Sequence, residues 1–201
     1  MSCQSTAAGA PSQAGCRTRL TSVVLSLAIV GLAACGSSLV APGTQTIDGA
    51  YAVETPIGWR RHVESEKVEI WTSRDPTEDQ LVYVTGLDPG EALLPKFEPF
   101  PRYEAGMTPQ AIAHFVLNSY VLQFGHTRSA VHRTWPARFG SVEGFRFEYG
   151  YTTRFNVDVH ALGAGAVKDG KLYLIYLEAA GEGLFRQLRP IAEQIMDSAT
   201  L

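Results

Sequence analysis

The sequence predicts an α+β domain in which a central antiparallel sheet is flanked by helices, an α/β/α sandwich. Three observations predict it. Apolar and polar residues alternate at period two, most clearly at Phe145, Phe147, Tyr149 and Tyr151, as on a strand with one face in the core. The runs 80–85 and 172–177 are apolar at both parities, which asks for central strands covered on both sides. The stretches after Thr108 and over 184–196 repeat their apolar residues at helical spacing.

Taken in chain order, the first strand is expected at Tyr51 and Val53, with Pro56 and Gly58 turning the chain before Trp59. Residues 68–72 alternate again, and Asp75-Pro76 interrupts them. Residues 80–85 form the next strand. Five prolines between 88 and 109 deny that stretch a long regular element, so it reads as a surface loop. Thr108 can cap a helix whose first residue is Pro109, and Gly125 is its natural stop. A strand over 130–135 should end at Pro136. Residues 142–151 and 155–161 make a hairpin through a short loop near Thr153. Its even-step registers place Arg146 opposite either His160 or Asp158, and opposite charges favour the second. Gly163 and Gly165 suggest a bulge or bend. Asp169-Gly170 is the clearest tight turn, leading into 172–177. The last helix spans 184–196, and Pro190 is expected to kink it or start a second piece.

The N-terminus reads differently. Arg17 and Arg19 precede an apolar run of about 13 residues ending at Leu32, short of the ~20 that a spanning helix needs. Leu32-Ala-Ala-Cys35 follows, with small residues at the expected cut. A charged region, a short apolar core and small residues describe a signal peptide, and Leu-Ala-Ala-Cys resembles the lipobox of bacterial lipoproteins. That resemblance implies removal of residues 1–34, lipid attachment at Cys35, and anchoring to a membrane outside the cytoplasm through two or three acyl chains. In a Gram-negative cell, Gly36 implies the outer membrane, facing the periplasm. Residues 35–49, rich in Gly, Ser and Pro, read as the lipidated cysteine and a flexible tether, and 50–201 as one globular domain.

Composition narrows the function classes. Residues 1–34 hold two basic side chains and no acidic ones, so 35–201 carry 15 basic against 20 acidic residues, a net charge of −5 with His neutral. An acidic domain argues against nucleic acid as partner. Of Cys3, Cys16 and Cys35 only the last survives cleavage, which leaves neither an intramolecular disulfide nor a cysteine-rich metal site. His62, His114, His126, His132 and His160 show no metal-binding spacing, and neither a nucleophile elbow nor a phosphate loop occurs. No metal and no cofactor are expected.

Tyr51-Ala-Val-Glu-Thr-Pro-Ile-Gly-Trp59 resembles the opening of the PsbP/Mog1-like fold. So does the end of the chain: Gly170-Lys-Leu-Tyr-Leu-Ile-Tyr176, an alanine pair, then Phe185, Leu188, Pro190, Ile195 and Ser198. The resemblance implies a domain that binds partners or assists assembly, with no shared reaction to carry over. Two candidate partner surfaces follow from the residues. Arg146, Glu148, Asp158 and His160 share the polar face of the 142–161 hairpin, where a plain solvated face is the alternative. Phe97, Phe100 and Tyr103 have no period to explain them; exposed in a stiff loop they would suit a protein partner, and packing back onto the domain is the alternative. The leading reading is a lipid-anchored cell-envelope binding or assembly-accessory module without catalysis. An envelope hydrolase using the carboxylates and His160 is the rival, and a stress accessory remains open.

Overall fold

Alternating side chains build ten strands and helical spacing builds two helices in residues 38–94 and 101–201, which the computed structural model describes. The strands are β1 (Ser38–Val40), β2 (Gly43–Ile47), β3 (Tyr51–Thr55), β4 (Trp59–Ser65), β5 (Val68–Thr72), β6 (Asp79–Leu87), β7 (Thr127–Phe139), β8 (Val142–Thr152), β9 (Asp158–Lys168) and β10 (Lys171–Ala180). The helices are α1 (Pro109–Phe124) and α2 (Glu182–Ser198). Eight strands form one sheet in the order β1-β4-β5-β6-β10-β9-β8-β7, antiparallel at every step, while β2 and β3 pair apart from it.

Period two divides the core between the faces of the sheet. On β10, Leu172, Leu174 and Tyr176 pack with α1, while Ile175 and Leu177 pack with α2 and the β2–β3 pair. The doubly apolar runs at 80–85 and 172–177 are thus neighbouring central strands, β6 and β10, buried on both sides. Thr108 Oγ1 accepts from the Ala111 N–H at 3.2 Å, and Gly125 closes α1 in the left-handed conformation with φ 65°, as its sequence signals require. Asp169 and Gly170, at φ 53° and 78°, make the turn between β9 and β10.

Five expectations are corrected. Residues 38–47 belong to the domain and are not tether: Val40 and Ile47 are buried and their backbones are paired in β1 and β2. These strands of three and five residues are too short to show a period beside Gly and Pro. Pro136 does not end its strand. β7 runs on to Phe139 at the edge of the sheet, where a missing N–H breaks no second ladder. The β8–β9 register pairs Arg146 with Ala164 and Glu148 with Leu162, an even step from both expected registers but with a longer loop. In that loop the Thr153 N–H donates to Val157 O, and Asn156 takes φ 61°. Phe155 therefore leaves the strand and is 76% exposed. At Gly163 and Gly165 the ladders are unbroken. Their backbones lie under the rings of Phe147 and Phe145, where a Cβ would collide. Finally, Pro190 does not start a second piece: α2 is one helix with the exposed Pro190 inside it, and its buried stripe of Leu188, Ala192, Ile195 and Met196 continues across the proline.

Candidate functional site

On the face of the sheet that carries α1, the helix lies over β7 and β8. Beyond its C-terminal turn a cavity of about 700 Å³ opens, within the range of small-molecule sites. Tyr120, Gln123 and Phe124 of α1 form one wall; Ile70 of β5, Gln80 of β6 and Glu178 of β10 lie across from them. The mouth is rimmed by the β8–β9 loop, where Phe155 and the 41% exposed Val157 bring apolar surface to solvent beside Arg154. Arg154 lies over the Phe155 ring at 4.8 Å.

Glu178 is placed by parity. It follows Leu172, Leu174 and Tyr176 at period two, so β10 carries it on the face of α1, between Gln80 of β6 and Ala161 of β9. It is only 5% exposed. Tyr149 Oη donates to Glu178 Oε1 at 2.7 Å, and the Tyr151 hydroxyl also hydrogen-bonds this carboxyl. Burial pushes the Glu178 carboxyl up to about 7, against the pull of the two phenol hydrogen bonds. Behind them, the hydroxyls of Tyr120 and Tyr176 bond each other at 2.8 Å. Burial first, and then neighbouring charge, hold Tyr149, Tyr120 and Tyr176 well above the usual phenol range. The phenols therefore serve as neutral donors. The result is a hydrogen-bond acceptor on the wall of an apolar chamber.

Two further polar atoms belong to residues of the lining. His126 stacks on Tyr151 with ring centroids 4.4 Å apart and an interplanar angle of 8°. Burial, then the charge of Arg154, lowers its pKa, which favours the neutral imidazole. His126 Nδ1 and Gln123 Oε1 are buried with no hydrogen-bond partner among the described residues. Buried polar atoms without partners are uncommon, and two at one cavity mark a place where a bound molecule would supply them.

The polar residues proposed from the sequence lie elsewhere. Arg146 is buried under α2, where Nη2 donates to Asp197 Oδ1 at 2.5 Å. Glu148 binds Arg133 of β7 at 2.7 Å and Arg189 of α2 at 2.8 Å, and the Arg133 hydrogen bond is the main cause of its lowered pKa. Both residues tie the sheet to its neighbours. Asp158 accepts from Thr152 Oγ1 at 2.7 Å, beside the loop. His160 packs on Phe185 at 5.7 Å. None of the four lines the cavity. Tyr103 is 1% exposed and its hydroxyl donates to Gly170 O at 3.3 Å, so it packs into the core and is not an exposed loop aromatic. Its proline neighbours confine the backbone, but the ring still finds the core. Phe97, Phe100 and Cys35 lie outside the described residues. Among the described residues no three His, Cys, Asp or Glu side chains gather as a metal site.

No protein-family model matches the chain, and no curated protein sequence matches it. Solved structures do. The solution structure of cyanobacterial PsbP (CyanoP) from Synechocystis sp. PCC 6803 superposes with a TM-score of 0.55 at 15% identity, over 85% of this chain and 95% of that one. The chain has a PsbP-like α+β fold. LpqN of Mycobacterium tuberculosis, a protein involved in cell envelope biogenesis, aligns over 83% of this chain and 84% of its own at 11% identity, with a TM-score of 0.34. At that score it adds nothing to the assignment of the fold.

The expected resemblance thus holds at the level of fold, and the PsbP-like sheet explains why the cavity residues were missed. Period two accounts for Tyr149 and Tyr151 as core and carries no information on where their hydroxyls bond. Glu178 stands one residue beyond the apolar run 172–177. A single acidic residue continuing the parity of a buried strand was the available signal.

Proposed function

We propose that this chain is a non-catalytic binding module of the bacterial cell envelope, held at a membrane by acyl chains on Cys35, whose PsbP-like domain takes a small, largely apolar molecule into the cavity at Glu178. The observation that carries the binding role is the cavity itself: a lining that mixes apolar and ionisable side chains, with unpaired polar atoms and a buried carboxyl among them. The lipobox-like Leu32-Ala-Ala-Cys35 supports the envelope location. Cys35 precedes Ser38 by three residues, at most about 11 Å of extended chain. Acyl chains on Cys35 would therefore hold the domain close to the lipid surface.

Two measurements test this. Intact mass of protein extracted from its own membrane should give chain 35–201 carrying two or three acyl chains; an unmodified chain beginning elsewhere overturns the anchor. The uncharged dye N-phenylnaphthylamine should brighten on binding the soluble domain. Ala180→Trp, which fills the lining beside Glu178, should weaken that binding by at least about tenfold, or 1.4 kcal/mol. Dye binding that ignores Ala180→Trp overturns the cavity as the site.

A further inference from the structure

We infer that the molecule this cavity accepts carries a positively charged nitrogen on an apolar body, a lipophilic amine whose ammonium N–H groups donate to Glu178. The inference rests on the cavity being a ligand site and adds the chemistry of the head group.

The hydrogen-bond inventory points to a donor. Tyr149 and Tyr151 already bond the Glu178 carboxyl. A carboxylate has about four lone-pair positions, so acceptor capacity remains. Gln123 Oε1, a second acceptor in the lining, is buried without a partner. A ligand head that only accepts hydrogen bonds would leave both unmatched; an ammonium group satisfies several acceptors at once.

The charges point the same way. The ionisable groups of the lining are Glu64, Glu78, Asp79, Glu178, His62, His126 and Arg154. Most are spoken for. Asp79 accepts from the backbone N–H groups of Ser73 and Arg74, Glu78 lies 3.9 Å from Arg74, and Glu64 lies 3.4 Å from His62. Arg154 is exposed at the mouth over Phe155, and burial keeps His126 towards its neutral form. An anionic head would therefore meet a carboxyl and no buried cation. A neutral head would leave an ionised Glu178 without a counter-charge in a medium where charge is costly. An ammonium head pairs that charge.

The experiment displaces the bound dye with three probes of one chain length, each below its micelle concentration at pH 8: dodecylamine, dodecanol and dodecanoate. The amine is still protonated there, since alkylammonium groups titrate near pH 10.4. Dodecylamine should displace the dye at a concentration at least about tenfold below the other two, the size of a charge-assisted hydrogen bond. In Glu178→Gln the three probes, each compared against that variant's own dye affinity, should fall within about twofold of one another. A wild-type preference for dodecanol or dodecanoate, or an amine preference that survives Glu178→Gln, overturns the inference. Should Glu178→Gln not fold, the wild type at pH 5 replaces it: the amine keeps its charge, Glu178 takes up a proton, and the preference should collapse. Failure of the dye itself to bind defeats the cavity reading, an outcome distinct from dye binding without amine preference.

Discussion

At the scale of single residues, Glu178 is where stability and the candidate site conflict. Its carboxyl titrates at about 7 in the fold against an ordinary value of 4.5. Between those values the folded state binds more protons than the unfolded one. The stabilising contribution is therefore complete below pH 4.5 and is lost as pH rises to about 7. Glu178→Gln keeps the shape and an acceptor for the tyrosine hydroxyls but carries no titrating proton. It should unfold at higher urea than the wild type at pH 8, by about 3 kcal/mol from the pKa difference, with the gain vanishing near pH 4.5. An equal gain at both pH values would mean that the gain does not come from the titration of Glu178. The sequence hid this residue because a glutamate after an apolar run looks like the solvent end of a strand. Its burial depends on β6, β8 and β9 surrounding β10, which no local window contains.

At the scale of elements, legibility followed length and local chemistry. The Thr108-Pro109 start and Gly125 stop of α1, the Asp169-Gly170 turn and the aromatic period of β8 depend on neighbours a few residues away, so they could be read directly. β4 could not. Its sequence Trp-Arg-Arg-His-Val-Glu-Ser is mostly polar, and it is a strand because β1 and β5 pair with both of its edges. The β8–β9 hairpin shows the same division: parity was readable, while register was decided by the hydrogen bonds of the loop around Thr153 and Asn156. Gly163 tests the packing that results. Gly163→Ala should cost about 1–3 kcal/mol in urea unfolding, because Phe147 must move. Gly183→Ala in α2, where nothing lies within 4 Å of the added Cβ, should stabilise by about 0.5–1 kcal/mol. Equal effects at the two sites would remove the ring contact as the reason for a glycine in β9.

At the scale of the molecule, the domain begins earlier than its composition suggests. Ile47 is fully buried in the core that α2 shares with Tyr51, Trp71 and Phe139. Ile47→Ala should therefore destabilise the whole domain by about 2–5 kcal/mol, as a buried large-to-small change does, whereas in a flexible tether it would change nothing measurable. Thermal unfolding of the domain beginning at Ser38 decides between the two. β1 pairs with β4, and β4 supplies His62 and Glu64 to the cavity.

The sequence by itself determined the fold class, the two helical segments and the caps of α1, the two doubly buried strands and the aromatic face of β8, because each rests on side-chain periodicity or on turn chemistry within a few residues. It also carried the lipobox-like motif at Cys35, a local chemical signature. Only the tertiary structure decided that residues 38–47 are strands, that Arg146 and Glu148 are ties to α2 and β7, and that Glu178, Tyr149 and Tyr151 meet at a cavity. Those facts depend on which strands lie side by side and on where α1 stops covering the sheet. Burial and hydrogen bonding across the sheet are set by neighbours distant in sequence, so the candidate site came into view only when the strands were assembled.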